Sequence, residues 1–157
     1  MLGHAVLAML GKPARVADLY AGLGTFAFAA VKKSFVHAVE GDGASVKALA
    51  DAALRARLAD RVTVEQRDLA RMPLAPHELA AFDAVIFDPP RAGAMSQSRA
   101  LAGSSVKTIV AVSCNPATFA RDARILVDGG YRLGPVQPVD SFLWSAQLEL
   151  VARFERG

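Results

Sequence analysis

The chain alternates between short apolar runs and longer segments whose apolar residues recur at helical spacing. Strand-like runs occupy residues 15–21, 35–40, 61–68, 82–90 and 108–114. Helical patterns lie between several of them, near residues 25–32, 43–58 and 116–128. Strands that alternate with helices predict a parallel sheet that is covered by helices on both faces.

The last quarter of the chain breaks this alternation. Residues 131–140 and 148–156 indicate two successive strands joined by a longer connection, which predicts an antiparallel pair at one edge. We therefore expect an α/β, Rossmann-like fold with a seven-stranded, mostly parallel sheet, one antiparallel edge strand and helices on both faces. Ligands of such sheets bind beyond the carboxyl ends of the strands, so the residues that follow the strands are the candidates for a site.

The first two strands end in residues that suit a nucleotide-like ligand. Gly22 and Gly24 in DLYAGLGTF let the backbone turn tightly and approach a ligand. Glu40, after the second strand, can accept hydrogen bonds from both hydroxyls of a ribose. An ordinary strand–helix turn and a solvated charge are the alternatives. Together the two features favour ribose binding, and they fit NAD and S-adenosylmethionine (SAM) equally.

Three further acidic residues occupy the same predicted edge. Asp68, after the third strand, can accept a hydrogen bond from the exocyclic amine of an adenine or simply cap the segment that follows. Asp88 is held by two prolines that forbid any regular continuation, which favours a functional role. The nearby Arg91 can reach a phosphate or pair with an acid. Glu149 lies between two leucines at the start of the last strand, where it either faces solvent or serves the site.

Cys114 is the only cysteine, and it follows the fifth strand in VAVSCNPATFARD. A lone cysteine is more often a small buried hydrophobic residue than a nucleophile. Here Asn115 can cap the next helix and Pro116 can occupy its first position, which would hold the sulfur in a defined direction. The positive end of that helix also favours a thiolate. The position at the strand end therefore favours the nucleophile.

Composition narrows the class of protein. With 157 residues, 53% hydrophobic and 21% charged, the chain suits one folded domain, and its formal charge of +3 only slightly favours polyanionic partners. One cysteine excludes an internal disulfide, and His4, His37 and His77 lack metal-ligand spacing, so we expect no metal. There is no signal-peptide pattern and no apolar window of about 20 residues, so we expect a cytoplasmic protein without a membrane partner.

These motifs together resemble the SAM-dependent RNA (uracil-5-)methyltransferases, which form 5-methyluridine in tRNA or ribosomal RNA. The matching segments follow the family's order: DLYAGLGTF, AVEGDGASV, RDLARMPL, FDAVIFDPPRAGA, VSCNPATFARD with GGY, and PVDSF followed by LEL. DPPRAGA and SCNPAT are the specific ones, because the glycine turn suits any SAM methyltransferase.

The resemblance implies a class I SAM methyltransferase fold, SAM as the cofactor and RNA as the substrate. It implies a SAM site lined by Tyr20, Gly22, Gly24, Thr25 and Glu40, with Asp68 near the adenine. Asp88 would lie between cofactor and target base, with Arg91 also on the substrate side. Cys114 would be the nucleophile that adds to carbon 6 of uracil, and Glu149 the base that removes the carbon 5 proton. Related cytosine enzymes carry a second cysteine in the fourth-strand motif, which reads DPPR here and so favours uracil.

The chain also departs from the family pattern. Family members usually have several hundred residues and an N-terminal RNA-binding barrel, so we expect residues 1–157 to be the catalytic domain alone. A cofactor-contacting glutamine upstream of the glycine turn has no counterpart, and Gln147 stands where histidine is common. Two other functions stay open: a SAM- or RNA-binding module without turnover, because the N-terminal part is missing, and a nicotinamide-dependent oxidoreductase, because of the glycine turn and Glu40.

Overall fold

The computed structural model describes residues 1–140 and 148–157, so Gln147 and the rest of residues 141–147 lie outside the described ranges. The helices are α1 Leu2–Leu10, α2 Thr25–Ala30, α3 Gly43–Arg55, α4 Pro76–Leu79, α5 Met95–Ala102 and α6 Pro116–Asp128. The strands are β1 Arg15–Leu19, β2 Phe35–Glu40, β3 Val62–Gln66, β4 Ala84–Phe87, β5 Thr108–Ser113, β6 Arg132–Leu133, β7 Gln137–Asp140 and β8 Leu148–Glu155. The predicted elements are present in the predicted order, several of them slightly shorter than expected.

All described strands form one sheet in the order β3-β2-β1-β4-β5-β8-β6, with β7 also paired to β8. Neighbouring strands from β3 to β5 are parallel, whereas β8 is antiparallel to β5, β6 and β7. The expected α/β class and mostly parallel sheet are confirmed. Two details differ from the prediction: the described sheet has eight strands instead of seven, and the antiparallel strand lies one place inside the edge.

The extra strand arises because the segment predicted as one strand, 131–140, is interrupted. Leu133 pairs with Phe154 and Gln137 pairs with Val151, so the register against β8 shifts by one residue between them. Pro135 lies in this interruption and has no backbone N–H for the ladder. The predicted strand 131–140 is therefore interrupted by a bulge-like irregularity, and the topology of the sheet is unchanged.

Helices cover both faces of the sheet. One core layer joins α1, α2 and α3 to one face, with buried Val6, Ala27 and Leu49 packed around strand residues such as Ile86. The other layer joins α4, α5 and α6 to the opposite face. Because successive strand residues point to opposite faces, β4 and β5 are almost wholly buried and read in the sequence as continuous apolar runs.

The helix after β5 begins where the sequence predicts. Asn115 is its N-cap, and the Asn115 Oδ1 accepts a hydrogen bond from the backbone N–H of Ala117 at 3.0 Å. Pro116 occupies the first helical position, where its missing N–H removes no helical bond. The helix ends at Gly129. This boundary fixes where the chain leaves β5 and so where Cys114 lies.

Candidate functional site at the carboxyl edge of the sheet

The glycine turn after β1 is closely packed on one side and open on the other. Gly24 is buried, has φ of +90° and begins α2. A Cβ atom there would lie 2.9 Å from the Phe28 ring and 3.0 Å from Leu49, so both the backbone angle and the packing require glycine. A Cβ at Gly22 would meet nothing within 4 Å. The turn therefore leaves space beside Gly22, while Thr25, at the first position of α2, is exposed.

Glu40 joins this turn to the end of β2. The Glu40 Oε2 accepts a hydrogen bond from the Gly22 N–H at 2.8 Å. The Oε1 accepts from the N–H groups of Gly41 at 2.8 Å and Asp42 at 2.9 Å. A carboxylate has about four acceptor positions, so these three bonds orient Glu40 and leave capacity for a ligand hydroxyl.

Asp18 is a site residue that the sequence reasoning missed. It lies on β1 with no exposed surface, and neither carboxyl oxygen makes a hydrogen bond of standard geometry with the described residues, although the Ala27 N–H is nearby. Burial raises the pKa of Asp18 to about 8, with further contributions from the charges of Asp88 and Glu40 and an opposing one from the Ala27 N–H. The available signal was an acid inside the apolar run RVADLYA, because a buried charge without a partner is costly.

Asp88 continues the pairing of β1 and β4. Its backbone N–H donates to the Leu19 carbonyl at 3.3 Å, and the side chain is largely buried. Burial raises the pKa of Asp88 to about 6, and the charge on Glu149 adds to the shift. Pro89 is buried, whereas Pro90 and Arg91 are exposed. The two prolines thus carry the chain from a buried carboxyl to an exposed arginine within three residues.

Cys114 lies in a turn that is organised by the neighbouring Ser113. The Ser113 hydroxyl donates to the Asn115 carbonyl at 3.1 Å and accepts from the Asn115 N–H at 3.1 Å. Ser113 is 5% exposed, whereas Cys114 is a free cysteine of intermediate exposure. The thiol is therefore accessible at the strand end and is not filler of the core.

The register of β5 and β8 brings Cys114 and Glu149 to the same place. Ser113 pairs with Leu150, so the antiparallel register sets Cys114 opposite Glu149 one step beyond the last pair. Glu149 is half-buried, and burial raises its pKa. The charge on Glu149 also contributes to the raised pKa of Asp88.

Asp68 and Tyr20 occupy the neighbouring part of the edge. Asp68 is exposed, and its Oδ1 accepts from the Ala70 N–H at 3.1 Å, which is the capping alternative of the sequence interpretation. Tyr20 packs edge-on against Phe87, with ring centroids 6.1 Å apart. Burial raises the pKa of the Tyr20 phenol, and the charges of Asp122, Asp68 and Glu40 act in the same direction. Tyr20 is therefore partly buried, with its ring packed against Phe87 at the carboxyl edge of the sheet.

The edge thus gathers five carboxyl groups, those of Asp18, Glu40, Asp68, Asp88 and Glu149, together with a glycine turn and a thiol. The pKa values of Asp18, Asp88 and Glu149 are raised, chiefly by burial. Buried carboxyls that lack partners favour a ligand that brings positive charge. The thiol of Cys114 and the half-buried Glu149 are groups that could act as a nucleophile and a base.

No helix within residues 1–140 and 148–157 is long and apolar enough to cross a membrane. In the same part of the chain, no three histidine, cysteine or acidic side chains are arranged to hold a metal ion.

The sheet order, with ligand-facing residues at its carboxyl edge, defines a class I SAM-dependent methyltransferase fold. The crystal structure of Pyrococcus abyssi tRNA (uracil-54, C5)-methyltransferase in complex with S-adenosyl-L-homocysteine matches it with a TM-score of 0.82 at 28% sequence identity. The match covers 98% of this chain and 37% of that one. The predicted fold is confirmed by this neighbour.

Curated relatives narrow the assignment. An uncharacterized RNA methyltransferase of Rhizobium meliloti (strain 1021) is 57% identical over 151 residues, which are 96% of this chain and 36% of the relative. The 23S rRNA (uracil(1939)-C(5))-methyltransferase RlmD of Chromohalobacter salexigens is 48% identical over 137 residues, 86% of this chain and 28% of the relative. No protein-family model matches the chain.

The resemblance read from the motifs is thereby confirmed: the chain is homologous to RNA methyltransferases. It spans about a third of the length of the curated relatives that it matches.

Proposed function

We propose that this chain is the catalytic part of an RNA (uracil-5-)methyltransferase, which transfers a methyl group from SAM to carbon 5 of a uridine through a covalent cysteine adduct. The observation that carries the proposal is the β5–β8 register, which sets Cys114 opposite Glu149. Asp88, at the end of β4, feels the charge of Glu149. A thiol and two carboxyls at one strand edge are the groups that this chemistry requires.

The acidic edge suits SAM as the cofactor. The two oxygens of Asp18 are buried without a partner, so a ligand ammonium group would relieve an existing cost. SAM carries both an ammonium and a sulfonium charge, whereas the pyrophosphate of NAD would add negative charge beside Asp18 and Glu40. Glu40 and the open space beside Gly22 fit a ribose. These features favour SAM where the sequence alone fitted both cofactors.

Cys114 performs the first step of the proposed reaction. Carbon 5 of uracil is too weakly nucleophilic to accept a methyl group directly. The Cys114 thiolate adds to carbon 6, the C5–C6 double-bond electrons move toward the carbonyl at carbon 4, and the resulting enolate makes carbon 5 nucleophilic. Carbon 5 would then take the methyl group of SAM, and the bond between that methyl carbon and the sulfonium sulfur would break to leave S-adenosylhomocysteine. The free thiol at the strand end and the fixed Asn115 turn serve this addition.

Glu149 completes the reaction. Its carboxylate takes the proton from carbon 5, the C5–C6 double bond re-forms, and the bond between carbon 6 and sulfur breaks to return the Cys114 thiolate. A raised pKa suits a base that must accept a proton near neutral pH. Asp88, which the resemblance sets between the cofactor and the target uracil, has a pKa of about 6 and so carries a negative charge at neutral pH. Arg91, exposed just beyond it, is available to a phosphate of the RNA.

A binding module without turnover is the second candidate. The chain covers 36% of one relative and 28% of another, so the residues that hold RNA in those proteins need not lie within it. On this alternative the chain binds SAM and transfers no methyl group by itself. The two candidates differ in one observable, which is methyl transfer by the isolated chain.

The experiment uses tRNA and 23S rRNA transcripts made with 5-fluorouridine. Fluorine cannot leave as a proton, so methyl transfer traps the RNA on Cys114 as a covalent complex that survives denaturing electrophoresis. We expect such a complex with SAM and none with Cys114→Ala. Tritium release from RNA labelled at uridine carbon 5 measures turnover. SAM binding by calorimetry without any trapping or tritium release would instead support the binding module.

A further inference from the structure

The turn that carries Asp88 is fastened to the turn that carries Cys114 by a set of contacts that the reaction scheme does not use. The Arg91 carbonyl accepts from Asn115 Nδ2 at 3.1 Å and from the Thr118 hydroxyl at 3.0 Å. The Ala92 carbonyl accepts from Arg121 Nη2 at 3.0 Å. These contacts belong to a larger set that joins residues 91–94 to residues 115–122, and we call the whole set the latch.

The latch continues through the next two residues. The Ala94 N–H donates to Asp122 Oδ2 at 2.7 Å, and Asp122 is only 4% exposed. Asp122 also pairs with Arg121 at 2.9 Å. A Cβ on Gly93, whose φ is +75°, would lie 2.5 Å from Arg121 Nη2 and 2.7 Å from Asp122 Oδ2. The loop therefore lies directly against α6, with no room for a side chain between them.

The latch spans a gap that the sheet leaves open. The paired register of β4 and β5 ends with Phe87 opposite Ala111. Asp88 and Cys114 both lie beyond that last pair. Beyond the sheet, the position of Asp88 relative to Cys114 depends on the contacts that hold the turn after β4 and the turn after β5. One end of the latch is Asn115, which adjoins Cys114, and the other end begins three residues after Asp88.

We propose that the latch is a positioning device that holds the Cys114 turn and the Asp88 turn in one fixed relation, with Thr118 as a positioning residue. This inference rests on the proposed function. Within the described residues the Thr118 hydroxyl donates to the Arg91 carbonyl at 3.0 Å, with the Asn115 carbonyl also within reach at 3.3 Å, and it makes no hydrogen bond to Cys114 or Glu149. Because reacting groups must be placed to a fraction of an ångström, loosening this contact slows addition of the thiolate without weakening cofactor binding.

The test replaces the Thr118 hydroxyl without changing side-chain shape. Thr118→Val removes the donor, and Thr118→Ser restores it. Trapping of 5-fluorouridine transcripts at saturating RNA is expected to be about tenfold slower in Thr118→Val. Thr118→Ser should return to within about twofold of the wild-type rate. The SAM dissociation constant and the KM for RNA should stay unchanged in both variants. The matched control is Thr63→Val on β3, which removes a hydroxyl that is hydrogen-bonded to His37 of β2; this variant should trap RNA at the wild-type rate.

A second readout needs no RNA. Cys114 is the only cysteine, so its alkylation rate by iodoacetamide reports the surroundings of the sulfur. We expect a changed rate in Thr118→Val that Thr118→Ser reverses, and a larger change in Gly93→Ala, whose added methyl group pushes the loop from α6. Wild-type trapping and alkylation rates in Thr118→Val would overturn the latch. Equal slowing in Thr118→Ser and Thr118→Val would also overturn it, because the hydroxyl would then be irrelevant. Absence of trapping in the wild-type chain overturns the proposed function itself and with it the catalytic use of the latch.

Discussion

The Oε2 atom of Glu40 accepts a hydrogen bond from the backbone N–H of Gly22 at 2.8 Å. This bond ties the acid after β2 to the glycine turn after β1, although the two residues are 18 positions apart. The same carboxylate holds the first two N–H groups of the turn that follows it. The cofactor side of the site is therefore shaped by one side chain that fixes two loops and faces the ligand space.

We predict that Glu40→Gln weakens SAM binding about tenfold to a hundredfold. The amide keeps one acceptor oxygen, but its NH₂ group would face backbone N–H donors, and hydrogen bonds to a charged acceptor contribute about 1.5–3 kcal/mol. Calorimetric titration with SAM measures the change. Asp51→Asn, the same chemical change on the exposed face of α3, should bind SAM as the wild type does. If Glu40→Gln binds SAM with unaltered affinity, Glu40 does not contribute to SAM binding.

Asp18 predicts an unusual dependence of stability on pH. Its pKa is about 8 in the folded chain and about 3.9 in an unfolded one. Between these values the unfolded state releases a proton that the folded state keeps, so the free energy of unfolding falls as pH rises, by about 1.4 kcal/mol per pH unit from this group. This loss of stability is absent below pH 4 and complete above pH 8. Asp18→Asn removes the titrating group, so the free energy of unfolding of the variant, relative to that of the wild type, should rise steadily from pH 4 to pH 8.

Urea unfolding of both proteins across this pH range measures the difference. The same substitution should weaken SAM binding, because it removes the partnerless carboxylate that a ligand ammonium would pair with. A gain in stability together with a loss of affinity is the pattern expected of a site residue whose burial is costly. A stability difference that does not vary with pH would show that Asp18 is ionised in the folded state.

Asp18 also illustrates what the sequence could and could not reveal. Buried parallel strands read as uninterrupted apolar runs, so β4 and β5 were found and the strand ends followed from them. Candidates after those ends were recognised because glycine, proline and cysteine stand out there. Asp18 precedes its strand end and was read as an ordinary strand residue. Its lack of a partner depends on the packing of β1 against both neighbours, which no local pattern encodes.

Other features that the sequence did not predict also depend on tertiary packing, which no local pattern encodes. Cys114 and Glu149 adjoin the last β5–β8 pair, Ser113 and Leu150, and the sequence predicted the strands but not this alignment. The bulge near Pro135 turned one predicted strand into two. The contacts between residues 91–94 and α6 involve backbone carbonyls on one side, and backbone groups carry no sequence signal.

The pH dependence of methylation should report the Asp88–Glu149 pair. Glu149 acts as a carboxylate in the proposed reaction, and we expect the negative charge of Asp88 beside the methyl donor to be needed as well; the pKa of Asp88 is raised to about 6, and that of Glu149 is also raised. The rate of tritium release should therefore fall as pH drops through about 6, with a logarithmic slope approaching two because the pair loses activity with each of two protonations. Asp88→Asn should lower the rate at neutral pH and reduce the slope to one. Asp128→Asn, on the exposed end of α6, should keep the wild-type profile.

Replacing the base should separate the two halves of the reaction. Glu149→Gln leaves Cys114 in place but cannot take the carbon 5 proton, so unmodified uridine RNA should accumulate as a methylated covalent complex with SAM present. Turnover should fall at least about a hundredfold, the scale of a general-base contribution. Cys114→Ala should give neither complex nor product. Glu155→Gln, a carboxyl on the same strand that pairs with Arg132 and Arg153, is the control and should turn over normally without accumulating complex.

The two halves fail in different ways, which makes the comparison informative. If Glu149→Gln releases methylated RNA at the wild-type rate, another group removes the proton, and Asp88, whose pKa is also raised, is the next candidate to test. If Glu149→Gln forms no complex even with 5-fluorouridine RNA, the side chain acts before methyl transfer, in shaping the Cys114 pocket across the β5–β8 pair. Only accumulation of complex with ordinary uridine assigns proton removal to Glu149. That outcome also requires Cys114 to be the attached residue, since the chain contains no other thiol.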